Sequence, residues 1–127
     1  MNDKSPPKDF TGLWEYECPT GIIYETEYVQ GIEHGAYRHK LPSGVALREG
    51  EKHDGLDHGV VTVRDSEGKV LDSYHFDHGT GTHCIYTTAG ALGWEIPYKG
   101  GKQHGIKRHY INGKVVSEQE YCNGQKI

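Results

Sequence analysis

The stretch Tyr28-Val29-Gln30-Gly31-Ile32-Glu33-His34-Gly35 decides how this chain is read, because it returns. An aromatic residue followed by Gly-x-x-His-Gly recurs as Lys52-His-Asp-Gly55-Leu-Asp-His58-Gly59 and as Tyr98-Lys-Gly-Gly101-Lys-Gln-His104-Gly105. A degraded copy stands at Phe76-Asp-His-Gly79 and a truncated one at Tyr121-Cys-Asn-Gly124. The first glycines fall at 31, 55, 79, 101 and 124, spacings of 24, 24, 22 and 23 residues. Self-similarity at such a period marks a stacked repeat array.

A second glycine splits each period. Gly21, Gly44 and Gly68 lie nine residues after Gly12, Gly35 and Gly59, and Gly113 lies eight after Gly105. Gly81 to Gly90 restores nine if a two-residue indel is accepted around Gly79-Thr-Gly81-Thr-His83. Cys18-Pro-Thr-Gly21, Leu41-Pro-Ser-Gly44, Asp65-Ser-Glu-Gly68 and Asn112-Gly113 are hairpin turns by composition, the last of type I′. The segments between them are rich in Tyr, Trp, Val, Ile and Thr and show no helical period. The expected fold is all-β: a single-layer twisted antiparallel meander of about five stacked β-hairpin repeats, with little or no helix. Residues 1–9 read as a flexible lead and 10–127 as one repeat domain.

Successive strand side chains point to opposite faces. Three residues before each first glycine stand Tyr28, Lys52, Phe76, Tyr98 and Tyr121, and the same face receives Tyr24, Tyr74, Ile96 and Trp94. Trp14, Tyr16, Tyr37, Val61, Val63 and Ile85 join it from the alternate strands. The opposite parity gives Glu25, Glu27, Glu49, Glu51, Glu95, Glu118 and Glu120, with Arg38, Arg64, Arg108 and Lys40 on the same side. Two readings stay open: a solvated face of cross-strand ion pairs, each contributing roughly 0.2–1 kcal/mol, or an acidic strip that receives a basic partner. Counting Glu15 and Glu17, nine glutamates face four cations.

The chain of 127 residues has a formal charge of -4 and 34% hydrophobic residues. It lacks the clustered Lys and Arg that nucleic-acid binding needs. No apolar run approaches the roughly 18–20 residues of a membrane span, and the first nine residues carry no secretory signal. Cys18, Cys84 and Cys122 form no C-x-x-C pair and read as reduced thiols of a cytoplasmic protein. The last strand reads as an open edge that a partner or a second copy could extend.

The motif resembles the MORN repeat and, more narrowly, the variant repeat of bacterial YwqK-type antitoxin (immunity) proteins. Tyr28, Gly31, His34 and Gly35, then Gly55, His58 and Gly59, then Tyr98, Gly101, His104 and Gly105 carry the match. Tyr110, Asn112, Gly113, Lys114, Tyr121, Asn123 and Gly124 continue it, so that it covers about residues 10–127. The third copy departs, with Thr82-His83 where His-Gly is expected, and Lys52 replaces the aromatic of the second. The resemblance implies a β-hairpin stack and a role in binding other proteins. Several relatives are immunity partners of toxins, while eukaryotic relatives tether proteins or touch membrane lipids. The repeat itself carries no catalytic residues.

Site chemistry is sparse. His34, His58 and His104 share one repeat position, which places them two strand spacings apart, about 9–10 Å, too far for one zinc ion. They read as turn-fillers. His75, His78 and His83, with Cys84 nearby, are the only dense group, and their spacing matches no ligand motif; no metal or other cofactor is expected. No Gly-x-Ser-x-Gly elbow occurs, His83 and Cys84 point to opposite faces, and the carboxylates do not converge in a pocket that would shift their pKa. Gly79-Thr-Gly81 and Gly100-Gly101 precede no helix and offer no phosphate cradle. The expectation is therefore a non-catalytic protein-binding module, an immunity protein that neutralises a basic toxin domain. The candidate surface is Glu25, Glu27, Glu49, Glu51, Glu95, Glu118 and Glu120, with Trp94, Tyr98 and Tyr121 as aromatic anchors or as packing. A scaffold that self-associates through its edges is the alternative, and a metal- or lipid-binding sensor a more remote one.

Overall fold

The computed structural model describes residues 2–127. Among them there is no helix, and strands account for 65% of the chain, so the all-β expectation holds. In chain order the strands are β1 (Gly12–Glu17), β2 (Ile23–Val29), β3 (Ile32–Lys40), β4 (Ala46–His53), β5 (Leu56–Arg64), β6 (Val70–Phe76), β7 (Gly81–Tyr86), β8 (Leu92–Lys99), β9 (Lys102–Gln103), β10 (Gly105–Ile111), β11 (Lys114–Cys122) and β12 (Gln125–Lys126). All pairing is antiparallel and follows chain order in an uncrossed meander, with the short β9 and the following β10 both pairing β8. The meander is divided between two six-stranded sheets, β1 to β6 and β7 to β12, rather than running as one layer. The segment before Phe10 lies along β1: the Trp14 indole donates to the Asp3 carbonyl at 2.8 Å and the Asn2 amide to that of Glu15 at 2.7 Å.

Two kinds of turn alternate. Along one edge run three-residue loops ending in a left-handed glycine, such as Pro19-Thr20-Gly21, closed by Gly21 N–H to Cys18 O at 2.9 Å. Along the other run two-residue loops with positive φ at both positions, among them Gln30-Gly31 (48° and 81°), Asp54-Gly55 (50° and 85°), His78-Gly79 (45° and 86°) and Asn123-Gly124 (48° and 86°). These are type I′ turns, whose twist matches that of the strands and whose second position favours glycine. Asn112-Gly113 (51° and 76°) places one more such turn on the first edge, as its composition predicts.

The repeat motif stacks the type I′ turns of the second edge. Each first glycine donates its N–H to a carbonyl of the preceding period: Gly31 to Phe10 (2.8 Å), Gly55 to Glu33 (2.8 Å), Gly79 to Asp57 (2.7 Å), Gly101 to Gly79 (3.0 Å) and Gly124 to Gln103 (2.8 Å). The residue before that glycine is capped too. His34 Nδ1 accepts from Asp54 N–H at 3.3 Å, His58 Nδ1 from His78 N–H at 3.1 Å and His104 Nδ1 from Asn123 N–H at 3.2 Å. Thr11 and Thr80 do the same with their hydroxyls, for Gln30 at 2.9 Å and Gly100 at 3.1 Å. Thr80-Gly81, not Thr82-His83, is thus the third copy's counterpart of His-Gly. The third copy has lost the two residues that stand between the turn glycine and His34 or His58 in the first two.

That loss coincides with the sheet break. In the first two copies the register shifts by two residues around His-Gly, and pairing then resumes along the strand. Between β6 and β7 only the Asp77–Thr80 bridge forms. Leaving the turn directly, β7 crosses the inner face of the first sheet, so that His83 meets Asp57 and Arg48, on β5 and β4. The core sits at this junction: Val61 and Phe76 are fully buried, Val63 nearly so, and Tyr74, Tyr86 and Tyr98 pack around them. Gly81 fits under the Phe76 ring, where a Cβ would lie 2.9 Å from it. Tyr37 is buried in the first sheet because Gly50, its cross-strand partner, leaves room for the ring.

Candidate functional site

The outer face carries the glutamates, and three of the seven candidates, Glu25, Glu49 and Glu118, are ion-paired to cations from neighbouring strands. Glu25 lies 3.1 Å from Lys40 Nζ and 3.6 Å from Arg38. Its burial opposes ionisation, but Lys40 and Arg38 hold its pKa below the ordinary value. Glu49 takes Arg64 at 2.7 Å and Arg38 at 3.6 Å, and Glu118 takes Arg108 at 2.8 Å. Glu95 accepts a hydrogen bond from the Tyr110 hydroxyl. Glu27, Glu51 and Glu120 differ: all are exposed, all sit four residues before a first glycine, and none has an ion-pair partner among the described residues. The Glu27 carboxylate lies directly over Gly35, where any side chain would strike it, and Glu51 lies over Gly59 in the same way at longer range. At Gly35 that placement excludes a side chain, and all three second glycines, Gly35, Gly59 and Gly105, have the positive φ (114°, 85° and 112°) that favours glycine.

The three aromatic candidates lie elsewhere. Trp94 stacks on His109 at 4.1 Å and 8°, with Lys107 Nζ 4.7 Å from the indole. Tyr98 packs edge-on to His83 at 5.6 Å and beside Phe76 at 6.4 Å, and so belongs to the core junction. Tyr121 pairs with Gly105 and is half-buried on the inner face. The sheet therefore separates the aromatics from the carboxylates.

A second feature lies between the sheets. The stacked type I′ turns hold the sheets together along one edge, and a cleft of about 310 Å³ opens among the three-residue loops, lined by Ile22, Leu41, Leu47, Val63, Ile85 and Tyr86, with Arg48 and His39 also on its wall. Beside it runs a polar chain. Arg48 donates to His83 Nδ1 at 2.8 Å and to the Cys84 carbonyl at 3.1 Å, and the Tyr74 hydroxyl stands 2.9 Å from the same nitrogen. Arginine can only donate, so His83 Nδ1 accepts and Nε2–H donates to Asp57 Oδ2 at 3.0 Å. The other Asp57 oxygen, Oδ1, faces Lys52 Nζ at 3.2 Å.

These groups hold one another in place. Burial works against the Asp57 carboxylate, yet His83 and Lys52 bring its pKa below the ordinary value. Burial, with Arg48 and Lys52 nearby, pushes His39 down to about 4. Burial, reinforced by Asp72 and Glu95, pushes the Cys84 thiol up to about 11, which keeps it protonated and a weak nucleophile. Both His83 nitrogens are engaged, which fixes the orientation of the ring. Cys18, Cys84 and Cys122 are all free thiols.

The expected His75, His78 and His83 group is not one cluster. His83 lies in the interior, whereas His75 and His78 lie at the type I′ edge with His58, whose ring is 4.3 Å from that of His78 and 6.5 Å from that of His75. The inner chain of Arg48, Asp57 and His83 is hidden in the sequence because alternation gives a face but not what folds onto it. Two signals point there: Lys52 in an aromatic position, and Arg48 on the same face.

These features define an all-β hairpin-repeat protein with an acidic outer face and an inner cleft. No protein-family model matches the chain, and neither a curated protein nor a solved structure matches it. No helix among the described residues is long and apolar enough to cross a membrane.

Proposed function

We propose that this chain is a non-catalytic protein-binding module, and more narrowly an immunity protein that neutralises a basic toxin domain by stoichiometric contact. The observation that supports this reading is the division of the outer face. Ion pairs occupy Glu25, Glu49 and Glu118, while Glu27, Glu51 and Glu120 stand exposed at one repeat position. A row of unpaired carboxylates costs repulsion in the free protein and is relieved by a basic partner, which charge complementarity also steers to it. The motif's likeness to antitoxin repeats points the same way. Glu25, Glu49, Glu95 and Glu118 then frame the strip, and Trp94, Tyr98 and Tyr121 serve the packing.

The test is whether a basic toxin-like domain is encoded beside the gene, and co-expression with it: rescue of growth and co-purification at one to one are expected. Failure of both would discard the immunity reading. Replacing Glu27, Glu51 and Glu120 together by Lys should slow association about tenfold and flatten its salt dependence. An unchanged rate would remove the acidic strip from the interface.

The scaffold alternative has one feature in its favour. β11 pairs with β12 only at Tyr121 and Cys122, so residues 114–119 form a sheet margin with Val115 46% and Val116 52% exposed. Concentration-dependent dimerisation in sedimentation would support it.

A further inference from the structure

We propose that His58, Asp77 and His78 form a binding site for one divalent late transition-metal ion of the zinc class. One ligand atom from each lies within 4.8 Å of the other two. A tetrahedral ion with bonds of about 2.0–2.2 Å holds its ligands roughly 3.3–3.5 Å apart. The two histidines must draw in and the Asp77–His78 contact must open, and these shifts fall on exposed side chains: His78 is 62% and Asp77 73% exposed. Asp77 Oδ1 is already 2.7 Å from His78 Nδ1 and 3.9 Å from His58 Nδ1. Two imidazoles and one carboxylate suit zinc, nickel or copper rather than magnesium or calcium, which prefer all-oxygen shells. The fourth position is open to water, and the His53 ring is 5.6 Å from that of His78.

The repeat geometry explains why sequence spacing hides this site. His58 does not meet His34 or His104, its counterparts; it meets the turn of the next period, which it caps. At the two other His-capped turns the capped residue is Asp54 or Asn123. At His58 it is another histidine, preceded by Asp77. Coordination by His58 Nδ1 replaces a long 3.1 Å hydrogen bond from His78 N–H, and water can take up that N–H at the exposed turn.

The chain supplies substitutions that remove ligands without disturbing the fold. Thr11 and Thr80 occupy the His58 position in other periods and cap the same turn, so His58→Thr keeps the cap. Asn tolerates the positive φ of His78, so His78→Asn keeps the turn. Zinc chloride is titrated by calorimetry into the untagged full chain near neutral pH, with each variant's fold checked by its melting temperature. One saturable equivalent is expected, with a Kd of roughly micromolar order. His58→Thr, His78→Asn and Asp77→Asn should each weaken it at least about tenfold, while His104→Thr leaves it unchanged and magnesium does not compete. Absence of saturable binding would overturn the proposal. So would an affinity unaltered in both His58→Thr and His78→Asn, or lowered equally by His104→Thr.

Discussion

After the Gln30-Gly31 turn the chain runs through Ile32 and Glu33 before His34-Gly35; after His78-Gly79 it reaches Thr80-Gly81 at once. The first arrangement gives β2 and β3 a bulged but continuous ladder, and the second gives β6 and β7 a single bridge. Both keep the turn stack intact, since Gly55 N–H finds the Glu33 carbonyl after the first arm and Gly101 N–H finds that of Gly79 after the second. The stack is thus independent of sheet continuity. The two arm residues carry the bulge, and bulges redirect strands. Without them β7 folds over the inner face, and a meander that could bury little in a single layer acquires a core at Phe76, Val61 and Val63.

The strongest way to break the contrast is to empty that core. Phe76→Ala should cost about 3–5 kcal/mol by denaturant unfolding, whereas Phe10→Ala, at the half-buried start of the first sheet, should cost less than half as much. A loss at Phe76 no larger than at Phe10 would mean that the junction is not the core.

Acid should act on the same region. The folded pKa of His39 is depressed to about 4, so the ring is neutral in the fold and takes up a proton more readily when unfolded. Its stabilising contribution is complete above about pH 6.5 and is lost as pH falls toward about 4, a difference of about 3 kcal/mol. Unfolding measured against pH should show that slope, and His39→Gln should reduce it.

Two type I′ glycines of similar φ, one inside the turn stack and one outside it, sharpen the picture further. At Gly79 (86°) a Cβ would lie 2.5 Å from Gly101 N, whereas at Gly113 (76°) nothing lies within 4 Å. Gly79→Ala should therefore cost well over 2 kcal/mol, and Gly113→Ala only the left-handed penalty of about 1–2 kcal/mol. Equal losses would show that the stacked turns do not press on one another. Smallest of all, His34→Ala should cost about 1 kcal/mol through its lost cap and His34→Thr close to nothing.

Much of this was legible in the sequence. Periodic glycines placed the turns, and alternation put Tyr24, Tyr37, Val61, Tyr74, Phe76, Trp94 and Tyr98 on one face and the glutamates with Arg38, Arg64 and Arg108 on the other. A two-residue irregularity near Gly79 could be counted, although His-Gly was expected at Thr82-His83 and its counterpart is Thr80-Gly81. The consequence of that irregularity could not be read, because strand alternation reads the same whether β7 lies beside β6 or across β4 and β5. His83 and Arg48 became partners only through that crossing, and His58 and His78 only through the turn stack, which joins residues 20 apart.

The two-residue deletion, then, sets the sheet break. Inserting Ile-Glu between Gly79 and Thr80 and determining the structure of the variant tests this most directly. A bulged β6–β7 ladder like that of β2 and β3 is expected, with His83 released from both Arg48 and Asp57. A variant in which His83 still bonds to both, with β6 and β7 joined by one bridge, would contradict it.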